Sequence, residues 1–300
     1  MEHTERPRAM RSRDDYIINF VAYFLCSLVL IATLYPLIYV VSASFSEPSE
    51  VINGNIWLLP KNVTLDGYEM ILDYDPIWIG YRNTIFYTVF GTAFNLLLTL
   101  PCAYSLSRRD FRGRKGIMLL FTFTMFFSGG LIPIFLTVQE LGLYNSFWVM
   151  VVPFAVSAYN VIVARTFFET SLPPDLWDAA QIDGCGNLRF FFTIALPLSK
   201  AVISVIALWT AVGQWNCYFN ALIYIRDENL YPLALIMRNI LVTQQIQSAL
   251  GTGEAALIAL RKANLMRYAM IIVATVPIMC VYPFVQKYFD QGVMIGAVKG

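Results

Sequence analysis

Long uncharged stretches dominate the hydrophobic pattern of this 300-residue chain. Six of them contain no Asp, Glu, Lys, Arg or His, and each is about as long as a helix that crosses the hydrocarbon core of a bilayer. Because lipid offers the backbone no hydrogen-bond partner, each stretch is predicted to be a helix and not a strand of a membrane barrel. The predicted spans are Ile17–Phe45, Thr84–Ser107, Ile117–Thr137, Asn145–Ala164, Ala201–Ile225 and Tyr268–Gln286.

The amino-acid composition agrees with a membrane setting. The chain is 58% hydrophobic and 14% charged, whereas a soluble domain has about 45–50% apolar and about 25% charged residues. Its net charge is +1, and its one histidine is His3. These values exclude a soluble enzyme of ordinary composition, a disordered regulator and a protein that binds nucleic acid through a basic face. The sequence therefore predicts an all-α polytopic membrane protein that has the lipid bilayer as its surroundings and no nucleic acid as a partner.

The distribution of cations sets the predicted orientation. Six spans place both termini on one side of the membrane, and 14 of the 21 Lys and Arg residues fall on that side. Because cytoplasmic loops of membrane proteins carry an excess of Lys and Arg, both termini are predicted to be cytoplasmic. We expect a multi-pass protein of the plasma membrane, with tails at residues 1–15 and 290–300 and a six-helix domain at residues 16–289.

The predicted spans lack the groups that catalysis or ion coupling requires. They contain no ionisable Asp, Glu, Lys, Arg or His side chain, whereas ion-coupled transporters use such groups to hold the coupling ion. The chain also has no GxxxxGK[ST] phosphate loop, no HExxH motif and no cluster of His or Cys. We therefore predict no catalytic residue, no metal site and no cofactor bound by this chain. Energy for active transport would have to come from a partner.

A short helix is predicted in the loop between the fourth and fifth spans. Pro173 and Pro174 suit a helix start, Asp175 suits the positive end of the helix dipole, and Gly184 suits the position just after a helix end. The helix carries no Lys or Arg, which disfavours attachment to anionic lipid. We expect its apolar face to be exposed and therefore to require a covering partner. The side chains of that face are Leu176, Trp177, Ala180 and Ile182.

This loop resembles the EAA loop of binding-protein-dependent ABC importer permeases. In that family the pattern is Glu-Ala-Ala, then Gly, then Ile-x-Leu-Pro. The chain has Asp178-Ala179-Ala180, then Gly184 after three intervening residues, and Ile194-x-Leu196-Pro197 after nine more residues. Asp178 departs from the usual Glu, which keeps the charge but shortens its reach by one methylene. The resemblance covers most of the chain and is closest to the carbohydrate-uptake branch and its complex-oligosaccharide permeases. The further segments that carry it are Phe127–Pro133, Trp215–Asn216 and Gly292–Gly300.

The resemblance implies a type I ABC importer permease fold with six transmembrane helices and a cytoplasmic coupling helix. It also implies a second homologous permease subunit, two ATPase subunits that bind ATP and Mg²⁺, and an extracytoplasmic solute-binding protein. The coupling segment would be residues 172–197, where the helix docks into a cleft of an ATPase. The residues that would carry this coupling are Leu176, Trp177, Asp178, Ala179, Ala180, Asp183, Gly184, Ile194, Leu196 and Pro197.

The fifth span is the candidate substrate path. Trp209, Gly213, Asn216 and Asn220 share one helix face, because their spacing is i, i+4, i+7 and i+11. Aromatic rings can stack on sugars while amides bond to the hydroxyls, although such residues also serve contacts between membrane helices. The candidate path residues are Trp209, Gln214, Trp215, Asn216, Tyr218 and Asn220.

The sequence therefore predicts the permease of an ATP-driven sugar importer, with an oligosaccharide as the expected substrate. Two alternatives stay open at this stage. An ABC permease for amino acids or peptides would share the EAA loop. A self-contained channel or facilitator would need no ATPase, so changes at Asp178 or Gly184 would leave its flux intact.

Overall fold

The computed structural model describes residues 13–250, 266–280 and 283, with side chains omitted at 13–15 and 244–250. The predicted C-terminal tail and most of the N-terminal one lie outside these residues. The described residues form helices and no β-strand, apart from one isolated bridge between Ser46 and Val63. In chain order the α-helices are α1 (Arg13–Ser44), α2 (Pro48–Ile52), α3 (Asp66–Leu72), α4 (Asp75–Ser107), α5 (Arg114–Phe126), α6 (Leu131–Glu140), α7 (Ala158–Ser171), α8 (Pro174–Ile182), α9 (Asn187–Phe190), α10 (Leu196–Leu198), α11 (Lys200–Trp215), α12 (Phe219–Tyr224), α13 (Leu233–Leu250) and α14 (Met266–Cys280).

The chain divides into two compact units, and the first comprises residues 1–71 and 247–272. Its main helix is α1, whose side chains are exposed at every position from 16 to 37. A helix that is apolar on all sides suits lipid or another membrane subunit. The helix covers the first predicted span and is long and apolar enough to cross a membrane.

Buried serines at the end of α1 hold the segment that follows it. The Ser42 hydroxyl donates to the carbonyl of Leu58 at 2.6 Å, and the Ser46 hydroxyl accepts from the backbone N–H of Lys61 at 3.0 Å. The Tyr68 hydroxyl donates to Ser44 Oγ at 2.8 Å. These bonds supply partners for polar groups near a helix end, where the helix itself provides none.

The second unit comprises residues 72–246 and 273–300 and is built around α4. Helix α4 packs against α7 and α11, and buried side chains recur along its length. It contains the second predicted span, begins earlier at Asp75, and can cross a membrane by length and composition. Near its start, Asn83 Nδ2 donates to the carbonyls of Asn229 and Tyr231, and Thr84 Oγ1 accepts from the N–H of Leu233 at 2.8 Å. The core of this unit therefore follows α4.

The third predicted span is divided into two helices. Helices α5 and α6 are bent by 116° at the break between them. Gly130 lies in this break with a φ of +85°, a conformation that side chains with a Cβ rarely adopt. The pair Asn187–Leu198 and Lys200–Trp215 is likewise bent by 79°. In the described residues two helices can cross a membrane, or up to four if each bent pair is one span.

The fourth and fifth predicted spans are interrupted as well. Residues 147–150 form a 3₁₀ helix and residues 151–157 form no regular helix, before α7 continues past the predicted end at Ala164. The fifth span stops at Trp215 and resumes as α12. The sixth is helical from Met266 to Cys280, and the remainder of Tyr268–Gln286 lies outside the described residues, apart from residue 283. The count of six spans therefore stays a prediction.

Side chains from α4 and α11 satisfy the irregular backbone of the fourth span. Asn95 Nδ2 donates to the carbonyl of Ala155 at 2.6 Å, and the Thr210 hydroxyl donates to Asn95 Oδ1 at 3.2 Å. Gln214 Nε2 donates to the carbonyl of Met150 at 3.3 Å. Non-helical backbone at membrane depth is tolerated only where the protein or water supplies such partners. The break in the fourth span therefore depends on these two amides.

The Asn95→Leu variant is expected to be less stable than the wild type, because the carbonyl of Ala155 would stay buried without its partner. An unsatisfied buried group of this kind costs about 1–3 kcal/mol. Thermal unfolding of the detergent-purified protein measures the effect as a lower Tm. Leu97→Ala is the control, since Leu97 lies on the same helix with an exposed side chain. Equal Tm values for Asn95→Leu and the wild type would contradict the assignment.

Candidate functional site

The predicted short helix is present as α8, from Pro174 to Ile182. Pro173 precedes it with an extended backbone, φ −58° and ψ 142°, and Asp175 lies in its first turn. Proline fits the first position of a helix because its missing N–H would have no partner there. The sequence signals at the start of α8 are therefore confirmed.

Gly184 ends α8 by reversing the backbone. Its φ is +73°, in the left-handed region. The N–H of Gly184 donates to the carbonyl of Gln181 at 2.9 Å, and the N–H of Cys185 donates to that of Ala180 at 2.9 Å. These two bonds form a Schellman motif, which satisfies carbonyls at the helix end. The predicted role of Gly184 as a helix terminator is confirmed.

The apolar face of α8 is covered by the protein itself. Ala180 is 7% exposed, and Leu176 and Trp177 are half-buried against the same core. The prediction that these side chains form a bare face that needs a partner is wrong. Ile182 does not share this face, since it is 87% exposed.

An aromatic cluster packs against α8 and joins it to α4, α7, α9 and the segment that follows α9. The Trp177 ring meets the Phe190 ring edge to face, with centroids 5.0 Å apart. The Tyr104 ring of α4 lies 5.8 Å from Phe168 of α7, 6.3 Å from Phe190 and 5.0 Å from Phe191. Because aromatic pairs at these distances contribute beyond their buried area, α8 has a stiff base on α4 and α7.

Arg108 lies over the face of the Trp177 ring. Its Cζ atom lies 3.8 Å from the ring centroid, which is a cation–π contact. Its Nε and Nη2 atoms donate to the two carboxylate oxygens of Asp110 at 3.0 and 3.1 Å. The hydrogen bond from Arg108 lowers the pKa of Asp110. The pair is therefore present above the ordinary Asp pKa and is lost only as the pH falls through the lowered value, so it is intact near neutral pH.

The remaining surface of α8 is acidic, small and exposed. Asp178 and Ala179 occupy the middle of this surface, and Asp183 and Gly184 occupy its end. The exposed residues of the helix and its terminus are Pro174, Asp175, Asp178, Ala179, Gln181, Ile182, Asp183 and Gly184. This surface can meet a partner closely at Ala179 and can pair with cations through its carboxylates.

The second half of the coupling segment returns to the core. Residues 191–195 form a π-helix, which widens the turn between α9 and α10. Ile194 and Leu196 pack against the core that also covers α8, while Pro197 is exposed. The structure therefore brings Ile194 and Leu196 together with Leu176, Trp177 and Ala180, and leaves Pro197 outside this cluster.

A cavity of about 680 Å³ opens beside α8. It lies between the end of α4, the end of α7 and α8, and it carries charges of both signs. The charged side chains in its wall are Arg108, Arg109, Asp110, Arg114, Glu169 and Asp178. Glu169 of this wall pairs with Arg114 of the wall at 3.8 Å and with Arg165, which does not line the cavity, at 2.6 Å. The cavity is therefore a polar cleft whose charges are largely internally matched.

The candidate substrate-path residues fall into two groups. Trp209 is 43% exposed and lies against the ring of Tyr159, 5.6 Å between centroids. Asn216 and Tyr218 are exposed at the break between α11 and α12. Breaks in membrane helices often mark substrate sites in transporters, so these residues form an accessible group.

The other candidates take part in internal contacts. Gln214 donates to the carbonyl of Met150. The Gln214 side chain occupies space next to Gly91 that a Cβ at position 91 would fill. Trp215 is 9% exposed, and its Nε1 donates to the carbonyl of Ala274 at 3.0 Å. Asn220 is half-buried. These three residues are less exposed than Trp209, Asn216 and Tyr218 and are not part of the accessible group.

Sequence reasoning missed Arg108, Tyr104 and Tyr159. In the sequence Arg108 is one of the cations that set the predicted orientation. Its contact with Trp177 joins residues far apart in the sequence, and no local pattern marks such a pair. Tyr159 belongs to an apolar stretch in which an aromatic residue is expected anywhere. The fold alone brings these residues to the candidate sites.

The Gly184→Val variant is expected to weaken the end of α8, because a β-branched residue is strained at a φ of +73°. A Cβ at this position would meet no atom within 4 Å, so the cost arises from the backbone and not from a clash. Gly184→Asn is the matched control, since Asn tolerates the left-handed region better. We expect a lower Tm for Val than for Asn, and equal values would contradict the assignment.

Comparisons with known proteins agree with this geometry. Residues 76–295 match the family "Binding-protein-dependent transport system inner membrane component". The chain is 41% identical to the Bacillus subtilis (strain 168) polygalacturonan/rhamnogalacturonan transport system permease protein YtcP, over 92% of this chain and 96% of that one. It is 38% identical to Protein LplC of the same organism, over 89% and 90%.

A solved structure shows the same fold. The crystal structure of a bacterial ABC transporter involved in the import of the acidic polysaccharide alginate contains a chain that matches with a TM-score of 0.83 and 34% identity. The match covers 94% of this chain and 99% of that one. The all-α fold of a type I ABC permease, predicted from the EAA-like loop, is thereby confirmed. The chain is a member of the binding-protein-dependent transport system inner membrane component family and a membrane-embedded permease subunit of an ABC transporter.

Proposed function

We propose that this permease imports oligosaccharides with energy from ATP, and that α8 is its coupling helix. The observation that carries the proposal is the arrangement of α8. Its apolar side chains Leu176, Trp177 and Ala180 are fixed on the protein's own core, while Asp178 and Ala179 face outward. A helix held in this way can transmit a displacement applied to its exposed surface.

The proposed partners follow from the family and from the chemistry of this chain. Two ATPase subunits would hold ATP and Mg²⁺ and perform the hydrolysis, since this chain has no phosphate loop. A second permease would complete the translocation path, and a solute-binding protein would deliver the sugar from outside. The basic segment that follows α4 supports a cytoplasmic position for α8 and for both termini, because Arg108 of that segment contacts Trp177.

At the ATPase contact, Asp178 is proposed to pair with a cation of the ATPase groove. Asp178 is exposed on α8, so its carboxylate is available to a partner. Ala179 beside it permits close approach, and Asp183 and Gly184 form the edge of the contact. Leu176, Trp177, Ala180, Ile194 and Leu196 are proposed to act as the base of the coupling segment, and Pro197 is proposed to guide the chain toward α11.

An oligosaccharide is the proposed substrate class. The names of the relatives include transport of polygalacturonan/rhamnogalacturonan, of arabinooligosaccharides and of galactooligosaccharides. The exposed Trp209 ring beside Tyr159 offers a surface on which a sugar ring can stack. Asn216 and Tyr218 offer hydrogen-bonding groups nearby, and Gln214, Trp215 and Asn220 are proposed to shape the path from behind.

Reconstitution of the whole complex tests this function. The chain is co-expressed with its cognate second permease and ATPase subunits, purified, and placed in proteoliposomes with the binding protein. We expect the ATPase subunits to co-purify, and ATP hydrolysis to rise when an oligosaccharide from a panel of neutral and acidic sugars is captured. Failure to recover any ATPase subunit, or sugar flux that is independent of ATP, would overturn the proposal in favour of a facilitator. Stimulation by amino acids or peptides alone would overturn the substrate class.

Reversal of the charge at Asp178 is expected to uncouple transport. Asp178→Lys should lower ATP-dependent sugar uptake at least tenfold, since a hydrogen bond to a charged group contributes about 1.5–3 kcal/mol. Uptake of labelled sugar into proteoliposomes gives the measurement. Asp66→Lys is the control, because Asp66 is also exposed but lies at the start of α3. Normal uptake by Asp178→Lys would contradict the assigned contact.

Loss of the Trp209 ring is expected to weaken sugar handling without loss of assembly. Trp209→Ala should reduce sugar-stimulated ATPase activity about fivefold or more, because ring stacking contributes about 1 kcal/mol. Trp209→Phe, which retains an aromatic face, should restore most of it. The stimulation measured against sugar concentration distinguishes the variants. Identical curves for Trp209→Ala and the wild type would exclude Trp209 from the path.

A further inference from the structure

Arg108 occupies the position where α4 ends and the basic segment begins. Its backbone is extended, with φ −71° and ψ 133°, and its N–H donates to the carbonyl of Ser105 at 3.3 Å. Its carbonyl accepts from Arg114 Nη1 at 3.4 Å. The backbone of Arg108 is therefore tied to the last turn of α4 and to the first residue of α5.

The side chain of Arg108 is held in one orientation by two different groups. The carboxylate of Asp110 receives both of its donors, and the Trp177 ring lies 3.8 Å from its Cζ atom. The side chain is only 16% exposed. A planar guanidinium can make a two-pronged contact with a carboxylate and stack on a ring at the same time, which a lysine cannot do.

The ring of Trp177 also has a contact with α9. Its ring meets Phe190 edge to face, and Phe190 stacks with Tyr104. Tyr104 is in the last turn of α4, and Arg108 is the residue that follows this helix. Two residues at the end of α4 therefore hold α8. Tyr104 does so through Phe190, while Arg108 contacts Trp177 directly.

Helix α4 extends from this contact through the core to the opposite end of the unit. It packs along α11, which carries Trp209, and along α7, which carries Tyr159. A displacement of α8 that moved α4 would therefore reach both rings of the proposed sugar surface. Arg108 is placed to pass this displacement from α8 to α4.

We propose that Arg108 is a positioning residue for coupling, which fixes Trp177 of α8 to the end of α4 so that movement imposed on α8 is transmitted to the substrate path. The proposal rests on the proposed function, because it assigns the route by which the coupling helix acts. Arg108 touches neither nucleotide nor sugar in this arrangement. Its effect passes through Trp177 and Asp110.

A purely structural role for Arg108 predicts different results from a positioning role. If Arg108 only stabilised the loop, its variants would lower the yield and Tm of the complex and leave sugar-dependent stimulation normal in the molecules that assemble. A positioning role predicts the reverse: complexes assemble with their ATPase subunits, but binding protein and sugar stimulate hydrolysis poorly. The ratio of stimulated to basal hydrolysis separates the two.

The experiment uses the complete complex in proteoliposomes with its binding protein and the sugar that stimulates the wild type. R108A is expected to lower the ratio of stimulated to basal hydrolysis about five- to tenfold, the change that corresponds to one cation–π contact. R108K keeps the charge but loses the planar contact, so it should fall short of wild-type stimulation. R112A is the matched control, since Arg112 is an exposed arginine of the same segment, and its ratio should be unchanged.

A double-mutant cycle with Trp177 identifies the route. W177L alone should lower the stimulation ratio, and R108A added to W177L should lower it no further, because the two residues act through one contact. Independent, multiplicative losses would overturn the proposal. Should R108A fail to assemble, R108K decides, and wild-type stimulation in R108K would overturn it.

The results that would contradict the proposed function differ from those that would contradict only the role of Arg108. A wild-type complex that recruits no ATPase, or that is not stimulated by any sugar, contradicts the proposed function before any variant is compared. A wild-type complex that is stimulated normally, together with an R108A complex that is stimulated equally, contradicts only the role of Arg108.

Discussion

The need to satisfy backbone polar groups inside the membrane is the constraint from which the rest of this structure follows. A continuous span meets it within one helix, as α1 and α4 do. An interrupted span needs partners from elsewhere, and Asn95 and Gln214 supply them to the carbonyls of Ala155 and Met150. Because these amides come from α4 and α11, the interruption also fixes those two helices to the fourth span. Polar residues in an apolar chain thus determine where its helices can break.

The same constraint explains what was predictable from sequence. Hydropathy measures whether a stretch can lie in lipid, so it located the apolar segments but could not distinguish a straight helix from a bent pair such as α5 and α6. The start and end of α8 were predictable because Pro174 and Gly184 act on the backbone at their own positions. The stack of Arg108 on Trp177 was not, since it depends on how α4 and α8 pack in the folded chain.

The position of α8 also changes how its composition is interpreted. An exposed Leu and Trp on a loop helix indicate an apolar surface that binds a partner. In the folded chain Leu176 and Trp177 face inward, and the outward surface carries Asp178 and Ala179. In the proposed coupling role, a contact through this outward surface would leave the apolar anchorage of α8 intact while the partner moves.

Charged residues are scarce in this chain, and their positions determine where ionic contacts can join its helices. The spans predicted from sequence contain no Asp, Glu, Lys, Arg or His, so ionic contacts are confined to the segments between them. At the end of α4 one arginine joins a carboxylate and an aromatic ring from two different elements. Because Arg108 and Asp110 are paired well above the lowered pKa of Asp110, this junction stays charged and intact at neutral pH. In the proposed coupling route, a displacement of α8 would therefore reach the uncharged spans through a junction that does not titrate in the physiological range.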